Sequence, residues 1–304
     1  MDGRRDFLKG AMGVGAAALL GGCQTGGARH ADGETVVFIS DVHVTGDLAN
    51  TAYAYTRDWL KRTVDDILAI RPRCVVSFGD LCFDHGDPRD YAVAAKELRR
   101  LADAGIPVHH ATGNHDRRPA FAAAFPEAFA RSKVKGYLVS DIDLGACDLI
   151  LLDTLAAKAG QTSGEIAPLQ QEWLKAELTR RTRPFLIGAH HPIAELALGG
   201  EPLINALVRS PRCCGWINGH EHQWLCQWLN AWKLHRETLP TLMLPSAGLW
   251  GDIGYCVARV SETGVKVSLV QKDYFNPVPG RPDRSLCAAI LRDHANLSCE
   301  FPFR

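Results

Sequence analysis

TVVFISDVH, residues 35–43, opens with an apolar, partly β-branched run and closes on two polar side chains, Asp41 and His43, one residue apart. The run from Thr35 to Ser40 reads as a buried strand, bounded by a polar segment on each side. Asp41 and His43 then fall just beyond the end of that strand.

The same arrangement recurs downstream. Residues 52–70 read as an amphipathic helix, 74–78 as a strand, 91–104 as a helix and 106–111 as a strand. A βαβαβ opening favours parallel pairing in a layered α/β domain. Further strands are expected at 137–142, 149–152 and 185–189, and helices at 168–179 and 203–208. Beyond Cys214 the pattern is mainly strand, at 215–218, 224–228, 241–244, 255–260 and 265–270. No internal repeat is found.

Polar residues gather where these strands end: Asp41 and His43, Gly79-Asp80, Gly113-Asn114-His115-Asp116, His190-His191-Pro192 and Gly219-His220-Glu221-His222. Sites in open α/β sheets form beyond the carboxyl ends of the strands, so all five groups can meet at one rim. His220 and His222 would project to one side of an extended chain. Alone, each group has a plainer reading: a polar loop, a turn or a helix entry.

Taken in this order, the residues Asp41-Val42-His43, Gly79-Asp80, Gly113-Asn114-His115-Asp116, His190 and Gly219-His220-Glu221-His222 resemble the metallophosphoesterase superfamily, the calcineurin-like phosphoesterases. The resemblance runs from about Val36 to Val270. It implies an α/β fold, a four-layer αββα sandwich with a mixed β-sheet core and the metal site at the strand C-terminal ends. It also implies two divalent metal ions, Mn, Fe, Zn or Co, bridged by Asp80. Asp41, His43 and His222 would complete one site, and Asn114, His190 and His220 the other. Mixed imidazole, carboxylate and amide ligation suits such metals, and the set contains no thiolate. Paired metals lower the pKa of bound water, so the implied reaction is attack on phosphorus by a metal-bridging hydroxide. His115 would protonate the leaving oxygen or stabilise the transition state. Asp116 would orient His115, or else cap the helix that follows.

Other polar residues carry less. His191 is divided between substrate or outer contacts and packing; His109 and His110 are assigned to structure, His85 to a solvated loop, and Asp153 to bracing the sheet. Trp224, Trp228 and Trp232 read as core or surface cover. One departure matters. Purple acid phosphatases, in the same superfamily, carry a metal-binding tyrosine three residues after the bridging aspartate, where this chain has Phe83. The nearer resemblance is to the branch of class III cyclic-nucleotide and glycerophosphodiesterases, although the loop Gly79-Asp80-Leu81-Cys82-Phe83-Asp84-His85-Gly86 is slightly longer than usual there.

The chain of 304 residues holds 34 basic and 34 acidic side chains, so no electrostatic footprint for nucleic acid is evident. No nucleic-acid partner is expected. Arg4 and Arg5, followed by Phe7-Leu8-Lys9 and a short apolar run, resemble a twin-arginine export signal, which would make the twin-arginine translocase a partner. Leu20-Gly21-Gly22-Cys23 resembles a lipobox, which would put a lipid anchor on Cys23; an ordinary small-residue cleavage region is the alternative. The expected layout is a signal at 1–23, a flexible tether at 24–34, the phosphoesterase domain at 35–275 and an irregular C-terminal extension at 276–304. The protein would be periplasmic or lipid-anchored to the cell envelope. Of ten cysteines, Cys74, Cys147 and Cys256 sit in apolar runs and read as buried thiols, whereas Cys287 and Cys299 are the bridge candidates.

The expected function is hydrolysis of a small phosphodiester. The alternatives are a phosphomonoesterase on the same site and a catalytically inactive, lipid-anchored binding protein.

Overall fold

Why the polar groups meet is visible in the strand order. The computed structural model describes residues 33–198, 200–230, 238–275 and 290–303. The first half follows the expected alternation: β1 (Glu34–Ile39), α1 (Tyr55–Ile70), β2 (Cys74–Ser77), α2 (Pro88–Asp103) and β3 (Val108–His110). Two short helices come next, α3 (Arg118–Ala124) and α4 (Pro126–Ala130), each with a proline in its first turn. Then come β4 (Ser140–Asp143), β5 (Asp148–Leu151), β6 (Gly164–Glu165), α5 (Pro168–Arg180), β7 (Phe185–Ala189), β8 (Leu196–Leu198), α6 (Gly200–Arg209) and β9 (Cys213–Asn218). The rest is strand: β10 (Leu225–Asn230), β11 (Thr238–Met243), β12 (Gly251–Ser261), β13 (Gly264–Phe275) and β14 (Ser298–Pro302).

Two six-stranded sheets result, ordered β14-β13-β12-β1-β2-β3 and β10-β11-β9-β7-β5-β4. Both are mixed. β1, β2 and β3 are parallel, as are β5, β7, β9 and β11, while β12, β13 and β14 pair antiparallel at one edge.

Side chains that alternate along each strand divide the core into layers. Val36 and Phe38 of β1 point between the sheets and join Leu149, Leu186 and Ile217 of the second sheet. Val37 and Ile39 point the other way, against Leu60, Val64 and Ile67 of α1 and Leu98 of α2. Ile150, Ile187 and Trp216 pack outward against Leu174 of α5 and Leu203 and Leu207 of α6. The layers are therefore helix, sheet, sheet and helix. Each fully buried aliphatic side chain in such a core contributes roughly 1.5–3 kcal/mol.

Two expectations change at the C-terminal end. Ser298–Pro302, within the segment expected to be irregular, is a strand paired with β13, and its Cys299 and Phe301 are buried. Apolar residues alternate there over too few positions to stand out in sequence. Cys299 is disulfide-bonded to Cys226, not Cys287, with Cα atoms 5.8 Å apart. Cys226 lies on β10 at the edge of the other sheet, a proximity that only the stacking of the two sheets creates. Cys287 lies outside the described residues. Cys74, Cys147 and Cys256 are buried free thiols, as expected. Among the described residues no helix is long and apolar enough to cross a membrane.

Candidate metal centre

Asp41 and His43 follow β1, Asp80 follows β2, Asn114 and His115 follow β3, His190 follows β7, and His220 and His222 follow β9. The parallel strands of both sheets deliver them to one place. Asp41, His43, Asp80, His220 and His222 all have positive φ, at 51°, 43°, 51°, 81° and 56°. Left-handed backbone at a residue with a side chain costs on the order of 1 kcal/mol or more, and such residues concentrate at functional sites. The His220–Glu221–His222 stretch is thus a tight loop and not an extended strand. Its two imidazoles diverge: His222 Nε2 lies 3.4 Å from Asp41 Oδ1, and His220 Nδ1 lies 3.3 Å from His190 Nε2. The same-side projection expected from strand geometry does not hold.

Two glycines allow this approach. A Cβ on Gly113 would lie 2.2 Å from Asp80 Oδ1, and one on Gly219 would lie 1.9 Å from Ser40 Oγ and 2.5 Å from Asp41 Oδ2. The carboxylates press against the backbone and accept from it. His115 N donates to Asp80 Oδ1 at 2.8 Å, and His220 N donates to Asp41 at 3.1 and 3.2 Å.

Proton placement reveals what the cluster is built for. His43, His190 and His222 each direct Nδ1 at a backbone carbonyl, of Phe83 at 3.2 Å, Phe78 at 2.9 Å and Trp250 at 3.1 Å. A carbonyl only accepts, so the proton of each neutral ring sits on Nδ1 and Nε2 presents a lone pair. His43 Nε2 and His222 Nε2 then face each other at 3.2 Å. His190 Nε2 faces Asn114 Oδ1 at 3.1 Å and Asp80 Oδ2 at 3.2 Å. Asp80 Oδ2 is also 3.5 Å from His43 Nε2, which places this carboxylate between the two groups. Converging acceptors repel one another unless a cation or a proton lies among them. The residues present therefore fit a pair of divalent cations.

The charge balance agrees. Burial works to raise the pKa of Asp80, but His190 outweighs it and holds the carboxyl well below its usual range. Burial likewise opposes ionisation of Asp41, and His222 overrides it, so this carboxyl also stays low. Burial pushes His43 down to about 4, against the pull of Asp80, which leaves it neutral and able to ligate at neutral pH. His190 is raised to about 9, because Asp80 more than offsets its burial.

Residues 34–224 match the family model described as calcineurin-like phosphoesterase. The chain belongs to that family. No curated protein matches it in sequence. Among solved structures it is similar to a dimetal phosphatase from Danio rerio, with a TM-score of 0.65 and 15% identity over 89% of this chain and 99% of that one. It is also similar to a protein from Thermus thermophilus, with a TM-score of 0.47 and 13% identity over 73% of this chain and 93% of that one.

Around the phosphoesterase centre, several side chains differ from expectation. Asp116 neither orients His115 nor caps a helix. Its fully buried carboxylate accepts from the backbone N–H groups of Gly113 at 2.9 Å, Cys82 at 3.3 Å and Leu81 at 3.4 Å, and from Tyr91 Oη at 2.9 Å. It ties the loop carrying Asp80 to the one carrying Asn114. Burial and the nearby Asp80 push it up to about 6. His115 is held instead by Asp84, whose Oδ1 lies 3.0 Å from its Nδ1, while its ring meets His43 edge-on with centroids 4.8 Å apart. An aspartate in the loop after Asp80 was the available sequence signal. Glu195 Oε2 stands 3.3 Å from His220 Nε2, and Glu221 is close enough to hydrogen-bond with Glu195.

His191 is buried, bonded through Nδ1 to Thr154 Oγ1 at 2.8 Å, with its ring 4.8 Å from that of His220. It backs the centre from behind. His85 is exposed and pairs with Asp84. His110 is buried beside Phe121 and Phe125, and Trp224 is buried between the sheets, both as expected. Trp232 lies outside the described residues. Asp153 braces the sheet, accepting from Arg118, Thr112 Oγ1 and Leu138 N at 2.7–2.9 Å.

Proposed function

We propose that this phosphoesterase is an exported dinuclear-metal enzyme that hydrolyses phosphodiester bonds in small molecules. The observation that carries the dinuclear reading is the position of Asp80, whose Oδ2 faces His43 Nε2 on one side and His190 Nε2 on the other. Asp80 would bridge two divalent cations. Asp41, His43 and His222 would hold one, and Asn114, His190 and His220 the other. When bound, such a pair lowers the pKa of a water near neutral pH and draws charge from the phosphoryl oxygens.

The chain's own groups do the rest. His115, held at Nδ1 by the Asp84 carboxylate, keeps its other nitrogen for the substrate, as a proton donor to the departing oxygen. Asp84 fixes that tautomer by accepting from Nδ1. Glu195 and Glu221 beside His220 support the diester reading. The negative charge that this hydrogen-bonded pair carries repels the doubly charged monoester more than the singly charged diester.

Export is supported by the residues around Arg4 and Arg5 and by the Cys226–Cys299 bridge, since disulfides persist in oxidising compartments. Cys23 would carry the lipid anchor.

The test is a comparison of bis-(p-nitrophenyl) phosphate with p-nitrophenyl phosphate, using purified protein supplied with manganese. Preference for the diester is expected. Preference for the monoester would overturn the diester assignment, and turnover of neither with two metals bound would favour the binding-protein alternative.

A further inference from the structure

The family match ends at residue 224, yet a segment beyond it encloses one half of the centre. Ser246 Oγ donates to the Asp41 carbonyl at 2.7 Å and accepts from Leu249 N at 2.9 Å. The Trp250 carbonyl takes the His222 Nδ1 proton at 3.1 Å, and its indole stacks on the His222 imidazole with centroids 4.0 Å apart and planes 22° apart. Gly251 has φ 87°, and a Cβ there would lie 2.2 Å from the His222 carbonyl. Asp252, 4% exposed, closes the segment. Its carboxylate accepts from Trp224 N and Gln271 Nε2, both at 2.7 Å, and its N–H donates to the His222 carbonyl at 2.8 Å.

These contacts go to Asp41, His222 and the backbone beside them. His190 and His220 are braced differently, by the Phe78 carbonyl and by Glu195. The ligating imidazoles of the two halves thus have different side-chain supports, while the His220 N–H joins the halves through Asp41. Groups that fix the tautomer and orientation of a ligating imidazole typically contribute 10–100-fold in metal affinity.

We propose that Trp250 and Asp252 are positioning residues for the Asp41–His43–His222 half of the centre. Asp252 pins the loop behind His222, Trp250 fixes the ring, and cation loading at this half is reported by the Trp250 indole. This inference rests on the dinuclear reading of the site.

The test titrates the metal-free full chain with manganese, following heat and tryptophan emission together. In the wild type, two binding events are expected, and one of them quenches emission. Asp252→Ala and Trp250→Ala are expected to weaken that event about 10–100-fold and leave the other within a few-fold. Trp250→Phe keeps the carbonyl and an aromatic ring, so it should retain the affinity and lose the quenching; the chain has seven tryptophans, so this variant identifies the reporter. In the double variant Asp252→Asn with Gln271→Glu, donor and acceptor exchange places and the affinity should recover.

Equal weakening of both events, or weakening of neither, would overturn the inference while two events in the wild type left the dinuclear reading intact. Absence of any binding in the wild type would overturn both.

Discussion

His43 Nε2 and His222 Nε2 lie 3.2 Å apart, and each ring has its other nitrogen against a backbone carbonyl. The two imidazoles come from the ends of different sheets, after β1 and after β9. Two neutral imidazoles with their lone pairs aimed at one point fit a cation between them. The centre is therefore assembled by the fold in a form that fits metal, and its parts can be separated by mutation.

His115→Ala should retain both metals and lower turnover at least about 100-fold, the ordinary contribution of a positioned proton donor. Asp84→Asn should give a smaller loss and also retain both metals, because the carboxylate that orients His115 through Nδ1 is replaced by an amide. Metal content and kcat measured on the same preparations check both. A His115→Ala enzyme with full turnover would remove this residue from the chemistry.

Asp116→Ala should act on stability first. It would leave three backbone N–H groups and the Tyr91 hydroxyl without their acceptor in a buried place. An orphaned buried donor costs about 1–3 kcal/mol, so a fall in unfolding free energy of several kcal/mol is expected. Denaturant unfolding of the metal-free protein measures it. If that protein kept its stability and lost only turnover, Asp116 would belong with the reacting groups.

His110 should make the fold acid-sensitive. Burial lowers its pKa from the ordinary 6.5 to about 3. The folded state therefore refuses a proton that the unfolded state accepts between about pH 6.5 and 3, and stability is lost as pH falls through that window. His110→Phe, beside Phe121 and Phe125, should flatten the loss between pH 7 and pH 5 by on the order of 1–2 kcal/mol. Denaturant midpoints at the two pH values, compared with the wild type, test this. An unchanged pH dependence would show that His110 does not titrate differently on folding.

The ligand groups were legible because each follows a strand, and parallel strands bring their ends to one rim. Asp41, Asp80 and His190 needed only that rule. The rule failed where a local assumption was added to it. His220 and His222 occupy left-handed backbone, which no side-chain pattern announces. Asp116 sits next to His115 in sequence, but its carboxylate turns toward the Asp80 loop, and Asp84 from across the centre takes the expected role. Trp250, Asp252 and the pairing of Cys226 with Cys299 depend on strands separated by long stretches of chain. These contacts exist only once the sheets are stacked.

The central claim is that one carboxylate, Asp80, holds two cations together. Metal content and diester hydrolysis of Asp80→Ala, measured side by side with the wild type, test it most directly. Two equivalents of manganese in the wild type, at most one in the variant, and activity lost by at least about 1000-fold, in keeping with the several kcal/mol that metals supply to the transition state, are the expected results. Two equivalents and full activity in the variant would contradict the dinuclear centre described by this geometry.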